Sequence, residues 1–166
     1  MPKKIFLVII FVLINPIVTL AQDLLGTFED WHAFKLSDNA MIICVMTSTP
    51  LDMEPKNVRR GDVLIQITHN KGDKSRDVVN IIAGYTFDDG SNVFASVDTK
   101  EFEMFTKDDA AWNATAEQDN EMVRAMISGS HLTVKGLSSR GTNTIDIYSL
   151  LGFTAAYRAI NDACND

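Results

Sequence analysis

The 166-residue chain sets 15 lysines and arginines against 22 aspartates and glutamates, with a sequence pI near 4.9. This balance argues against nucleic acid or anionic lipid headgroups as partners, because both need clustered cations to displace counterions. The length suits one domain with a real core.

The chain opens on an export pattern. Lys3 and Lys4 precede the apolar stretch Ile5 to Ile14, Asn15-Pro16 breaks it, and Val18-Thr19-Leu20-Ala21 sets small residues where a signal peptidase reads. The pattern predicts a signal peptide over residues 1–21, cut after Ala21, and a single mature domain over 22–166. The apolar run is shorter than the roughly 20 residues that span a bilayer, and no later segment is apolar enough to form a transmembrane span. No cysteine follows the run to carry a lipid. The mature chain is expected to be soluble, and either periplasmic, outer-membrane associated or extracellular. Removing Lys3 and Lys4 leaves 13 basic against 22 acidic residues, a net charge of −9.

Next come stretches with a period of two, the mark of half-buried strands. Met41 to Met46 is apolar on both faces, as an internal strand would be. Val63, Ile65 and Ile67 alternate with Gln66 and Thr68, and Asn70-Lys71-Gly72-Asp73 forms a hairpin turn. Val79, Ile81, Ala83, Tyr85 and Phe87 make one long stripe, closed by the turn Asp88-Asp89-Gly90, and Val93, Ala95 and Val97 return. Phe102 and Met104, Leu132 and Val134, and Ile145 and Ile147 continue the alternation. Two segments change rhythm. Glu117 to Ser128 carries Met122, Ala125 and Met126 at helical spacing and ends at Gly129, and Leu151 to Ala163 places Phe153, Ala156, Tyr157 and Ile160 on one helical face. Seven or eight strands with two short helices predict an all-β, immunoglobulin-like antiparallel β-sandwich with a short helix near 117–128 and a C-terminal helix.

The chemistry in the sequence is sparse. His32, His69 and His131 stand apart, without the short spacing of co-ligands, so no metal site is expected. Isolated histidines on strands are usually surface residues. Two distant cysteines exclude a cysteine-rich zinc site. Asp88-Asp89-Gly90 lacks the further oxygens of a calcium loop, and Ser138 lies between strands, not on a nucleophile elbow. Glu101 and Glu103 share a strand face, but exposed acids on an edge strand usually solvate it. Asn113-Ala114-Thr115 matches a glycosylation sequon and reads as chance. Trp31 and Trp112 read as core anchors, with a ligand platform at either as the alternative. No catalytic, cofactor-binding or metal-binding residue is expected, and the chain is read as not an enzyme.

Cys44 and Cys164 are the two cysteines of the mature chain. An oxidising compartment would let them pair, closing a loop of roughly 120 residues worth about 4–5 kcal/mol in chain entropy. The alternative is two free thiols, one buried and one on a frayed tail.

From Ala125 onward the pattern becomes specific. Ala125-Met126-Ile127-Ser128-Gly129, Leu132-Thr133-Val134-Lys135-Gly136, Ser138-Ser139-Arg140-Gly141-Thr142 and the run Asp146 to Ala156 together resemble the C-terminal half of the invasion-associated locus B family. Asp30-Trp31 resembles the family's opening pair. The resemblance spans Phe28 to Cys164 and is sharpest in the last third. It implies an exported bacterial protein with an immunoglobulin-like sandwich, associated in some pathogens with host-cell entry and having no known activity or cofactor. Family members often carry more cysteines, one after the opening tryptophan and a pair mid-chain. Here only Cys44 and Cys164 remain to bridge. The resulting expectation is a non-catalytic envelope protein that contacts an envelope or host-surface protein, in host-cell invasion or envelope maintenance. A periplasmic small-ligand-binding sandwich is the alternative, and a hydrolase assembled only in space is a third.

Overall fold

The computed structural model describes residues 21–37 and 41–165. The predicted signal peptide lies outside the described residues except for Ala21, where the first strand begins. In chain order the strands are β1 (Ala21–Phe28), β2 (Trp31–Ser37), β3 (Ile42–Ser48), β4 (Asp52–Glu54), β5 (Leu64–Asn70), β6 (Ser75–Ile82), β7 (Asn92–Val97), β8 (Lys100–Lys107), β9 (Ala110–Trp112), β10 (His131–Leu137) and β11 (Asn143–Ser149). The helices are α1 (Ala116–Ser128) and α2 (Phe153–Asn165).

All eleven strands join one antiparallel ladder in the order β1-β2-β3-β5-β6-β9-β8-β7-β10-β11-β4. The short strand β9 is the seam. It pairs with β6 through Asn80 to Ile82 and with β8 through Phe105 to Lys107, so it links two five-strand halves into one sheet. The two halves bury their alternating residues in one cluster. Trp31, Cys44, Met46, Ile65, Ile67, Val79 and Ile81 come from the first half, and Val93, Ala95, Met104, Leu132, Val134 and Tyr148 from the second. Each strand supplies every second residue because successive side chains point to opposite faces. The result is an antiparallel, sandwich-like β fold with one short helix and one C-terminal helix, as the alternation predicts.

The helices close the cluster. Thr115 caps α1, its side chain accepting from the Gln118 N–H, which satisfies one of the free donors at a helix start. Asp119 in the first turn of α1 accepts from the Val79 N–H at 3.0 Å, one residue beyond the last β6–β9 pair. A side chain thus takes over the ladder where β9 ends. Helix α2 lies over β1, β2, β3 and β5 and buries Phe153, Ala156, Ile160 and Cys164. Phe153 meets Trp31 edge-on at 4.9 Å, and the Trp31 indole N–H donates to the Ser149 carbonyl at 3.0 Å. Such a ring pair contributes about 0.5–1.5 kcal/mol beyond the area it buries.

Four details differ from the alternation. The stripe Val79 to Phe87 is not one strand: β6 ends at Ile82, and Gly84 turns to φ +70°. The turn at Asp88 forms, with Ser91 N–H donating to the Asp88 carbonyl, but β6 and β7 do not pair across it. Glu101 and Glu103 lie on β8, which is internal between β9 and β7, not at an edge. The sheet edges are β1 and β4. Finally, α2 starts at Phe153, not Leu151, because Gly152 at φ +88° sits against the Phe28 carbonyl, where no side chain fits.

Candidate functional site

A close contact between two glycines sets up a polar cleft. A side chain on Gly84 would meet the Gly61 carbonyl oxygen at 2.7 Å, and the Gly61 N–H donates to the Gly84 carbonyl at 2.8 Å. This close approach holds the segment before Gly61 against the end of β6. Arg60 is thereby placed to donate from Nε (2.9 Å) and Nη2 (2.7 Å) to the Ala83 carbonyl. It also forks onto Asp146, with Nη1 to Oδ1 at 2.6 Å and Nη2 to Oδ2 at 2.7 Å.

Both side chains of this pair are buried, 6% and 3% exposed. Burial opposes the guanidinium charge, but the hydrogen bond and attraction of Asp146 outweigh it, so the Arg60 pKa lies above its usual value. The guanidinium also stacks on the Tyr85 ring at 5.0 Å, and the Tyr85 hydroxyl pairs with Thr144 Oγ1 at 2.6 Å. Burial raises the Tyr85 pKa, so that hydroxyl keeps its proton. Four of the five Arg60 donor hydrogens are committed. The group is a fixed wall, not a free arm.

The facing wall is the turn between β10 and β11. The Ser138 N–H donates to the Thr142 carbonyl, the Thr142 N–H to Ser138 Oγ, and the Gly141 N–H to the Ser138 carbonyl. Gly141 takes φ +77°, a conformation that glycine adopts without strain. The Ser139 N–H donates to the Thr86 carbonyl at 2.9 Å, which ties the turn to the strip after β6. Between these walls lies a cleft of about 420 Å³, lined by Arg59, Arg60, Arg140 and the hydroxyl residues Thr86, Ser138, Ser139, Thr142 and Thr144, among others. No carboxylate lines it. Arg59 and Arg140 are exposed and have no hydrogen-bond or ion-pair partner among the described residues.

A second surface adjoins it. Pro50, Leu51, Met53, Pro55 and Val58 line a shallow depression of about 500 Å³ along the edge strand β4, and its floor shares Val58, Arg59 and Arg60 with the cleft. Leu51 is 61% exposed.

The residues singled out by sequence fall in several places. Cys44 and Cys164 are disulfide-bonded across 120 positions, fixing the end of α2 to β3. Trp31 is fully buried, and Trp112 is half-buried on β9; neither lines the two clefts described above. His32 and His131 are exposed. His69 is not a surface residue: it is 1% exposed, because β5 turns it toward α2. Its Nδ1 accepts from the Asp77 N–H at 3.0 Å, so a neutral ring carries its proton on Nε2 and keeps no basic nitrogen. Burial, and then the Arg76 charge, lower its pKa. The Asn113 amide is buried and donates to Asp119. Among the described residues no three His, Cys, Asp or Glu side chains gather to hold a metal ion, and no helix is long and apolar enough to cross a membrane.

Sequence reading did not single out Arg59, Arg60 or the Gly61–Gly84 approach. Adjacent arginines in an acidic chain are the one local signal that points there, and the partner Asp146 lies 86 positions away.

A family model described as invasion associated locus B (IalB) protein matches residues 31–161. The crystal structure of invasion associated protein B from Bartonella henselae is similar at 17% identity, over 85% of this chain and 98% of that chain, with a TM-score of 0.59. No curated protein matches.

Proposed function

The chain belongs to the invasion associated locus B family, and from that premise we propose that it works outside the cytoplasm as a non-catalytic binding protein. It docks an envelope or host-surface protein, in host-cell invasion or in envelope maintenance. The observation that carries this reading is the β4 edge. It is a three-residue strand with one side unpaired, with Leu51 just before it and Met53 at its centre exposed to solvent, and exposed backbone groups at a sheet edge accept an extended segment of a partner. The disulfide supports a location outside the reducing cytoplasm.

Complementation tests it. In a deletion strain, the wild-type gene is expected to restore envelope integrity or host association, and a Leu51→Asp, Met53→Asp gene is not. Equal rescue by a variant that is folded and present at wild-type level would defeat the reading. The small-ligand alternative moves away from the tryptophans, since Trp31 is packed inside the core, and toward the arginine cleft.

A further inference from the structure

We propose that the cleft between Arg59, Arg60 and the Ser138–Thr142 turn is a binding site for a phosphate monoester, such as a phosphorylated sugar. The chain as a whole is acidic, yet this cleft is lined by three arginines and no carboxylate. Acids line the two adjoining depressions instead: Asp62, Asp108 and Asp109 line the one that shares Gly84, Tyr85 and Thr86 with the cleft, and Asp52 lines the one that shares Val58, Arg59 and Arg60. They bound the positive patch and do not fill it.

The division of labour among the arginines is informative. Arg60 spends its charge on Asp146 and serves as the wall. Arg59 and Arg140 have no partner among the described residues, so their two forks are left to ligand, and each fork presents donors in the geometry that phosphate oxygens accept. The hydroxyl residues Thr86, Ser139 and Thr142 add donors around them. A carboxylate, with two oxygens, uses fewer of these donors than a phosphate monoester with three terminal oxygens. The volume, about 420 Å³, falls in the range of about 300–1,000 Å³ typical of small-molecule sites and leaves room for a sugar beside the phosphoryl group. The site adjoins the β4 depression and shares Val58, Arg59 and Arg60 with it, but Leu51 and Met53, on which the docking reading rests, do not line it.

Amide NMR of the mature, oxidised protein titrated with inorganic phosphate and with glucose 1-phosphate tests this. Shifts are expected at Gly84, Tyr85, Ser139, Arg140, Gly141 and Thr142. Arg59→Gln and Arg140→Gln are each expected to weaken binding about tenfold, the equivalent of one charge-assisted hydrogen bond. Arg124→Gln, at a separate depression beside α1, is expected to leave binding unchanged. Phosphatidylcholine vesicles doped with phosphatidic acid distinguish the source. Tighter binding to these than to the soluble ester points to a lipid-carried group, and binding of the soluble ester alone points to a free one. The proposal fails if neither form binds, if acetate binds equally well, if the shifts fall elsewhere, or if both arginine variants bind like wild type. Since Leu51 and Met53 are untouched, the docking reading survives such a failure.

Discussion

Replacing Asp146 with asparagine keeps the shape of the pair but leaves the Arg60 guanidinium buried without a counter-charge. Removing one partner of a buried pair costs about 3–5 kcal/mol, because the remaining charge stays desolvated. With a urea slope near 2 kcal/mol/M, within the range of about 1–3 for small domains, the midpoint should fall by roughly 1.5–2.5 M. The double variant Arg60→Met, Asp146→Leu removes both charges. It should recover most of that loss, since apolar replacement of a buried pair is often near neutral. A residual deficit of about 1–3 kcal/mol is expected from the Ala83 carbonyl, which loses both Arg60 donors. Urea denaturation of wild type, Arg60→Met, Asp146→Leu and the double variant closes a double-mutant cycle that measures this coupling, with Asp146→Asn measured beside it. If Asp146→Asn falls within about 0.5 kcal/mol of wild type, or the double variant is less stable than either single variant, the pair is not the buried anchor described.

Three further outcomes are expected. Reducing the Cys44–Cys164 bond, or changing both residues to alanine, should cost about 4–5 kcal/mol by loop entropy, and hydrogen exchange should show α2 losing protection before β3; unchanged exchange in α2 would contradict its being fixed there. His69, whose pKa lies below the unfolded value near 6.5, binds its proton less readily when folded. Its contribution to stability is therefore complete above about pH 6.5, declines as pH falls below that value, and levels off below the folded pKa. A His69→Gln variant should lose this slope in urea midpoints taken between about pH 7.5 and 5.5. Gly84→Ala places a methyl group against the Gly61 carbonyl at a positive φ. It should lose at least about 1–3 kcal/mol and shift the Arg59 and Arg60 amide resonances, whereas Gly90→Ala, in open space at a similar φ, should lose only the backbone part.

Much of the fold was legible because burial imposes a period. The strands with clean alternation, such as Leu132 to Val134, form where expected, and α1 begins within one residue of the predicted start. β11 also forms, but with its faces reversed, since Asp146 and Tyr148 are buried and Ile145 is exposed, because Asp146 turns inward to meet Arg60. The elements that alternation missed are those whose pairing is set from afar. β4 and β9 are three residues each, too short to show a period, and exist because β11, β6 and β8 offer free edges. β1 escaped because Leu24, Leu25 and Gly26 interrupt the alternation where the β1–β2 register shifts, and β2 because only Trp31 and Ala33 are buried before the strand becomes half-exposed on both faces. His69 looked like an ordinary strand histidine, since nothing local to β5 records that α2 returns over it. The same holds for the cleft. Ser138 to Thr142 stood out as a family turn, but its opposite wall depends on two glycines and an ion pair joined only in three dimensions.

The sheet order also fixes a sequence of events in the making of the molecule. Strands β3 and β4 are separated only by residues 49–51, yet they lie third and last in the ladder. As the chain leaves the ribosome, β4 must wait for β11, which emerges about ninety residues later, and Cys44 must wait for Cys164. The first half, β1-β2-β3-β5-β6, can pair in chain order, whereas β4 and the disulfide depend on β11 and α2. Pairing of β4 with β11 is thus a long-range contact, of the kind that generally forms slowly. The elements that secure the β4 edge and close the disulfide, β11 and α2, are therefore the last to be made.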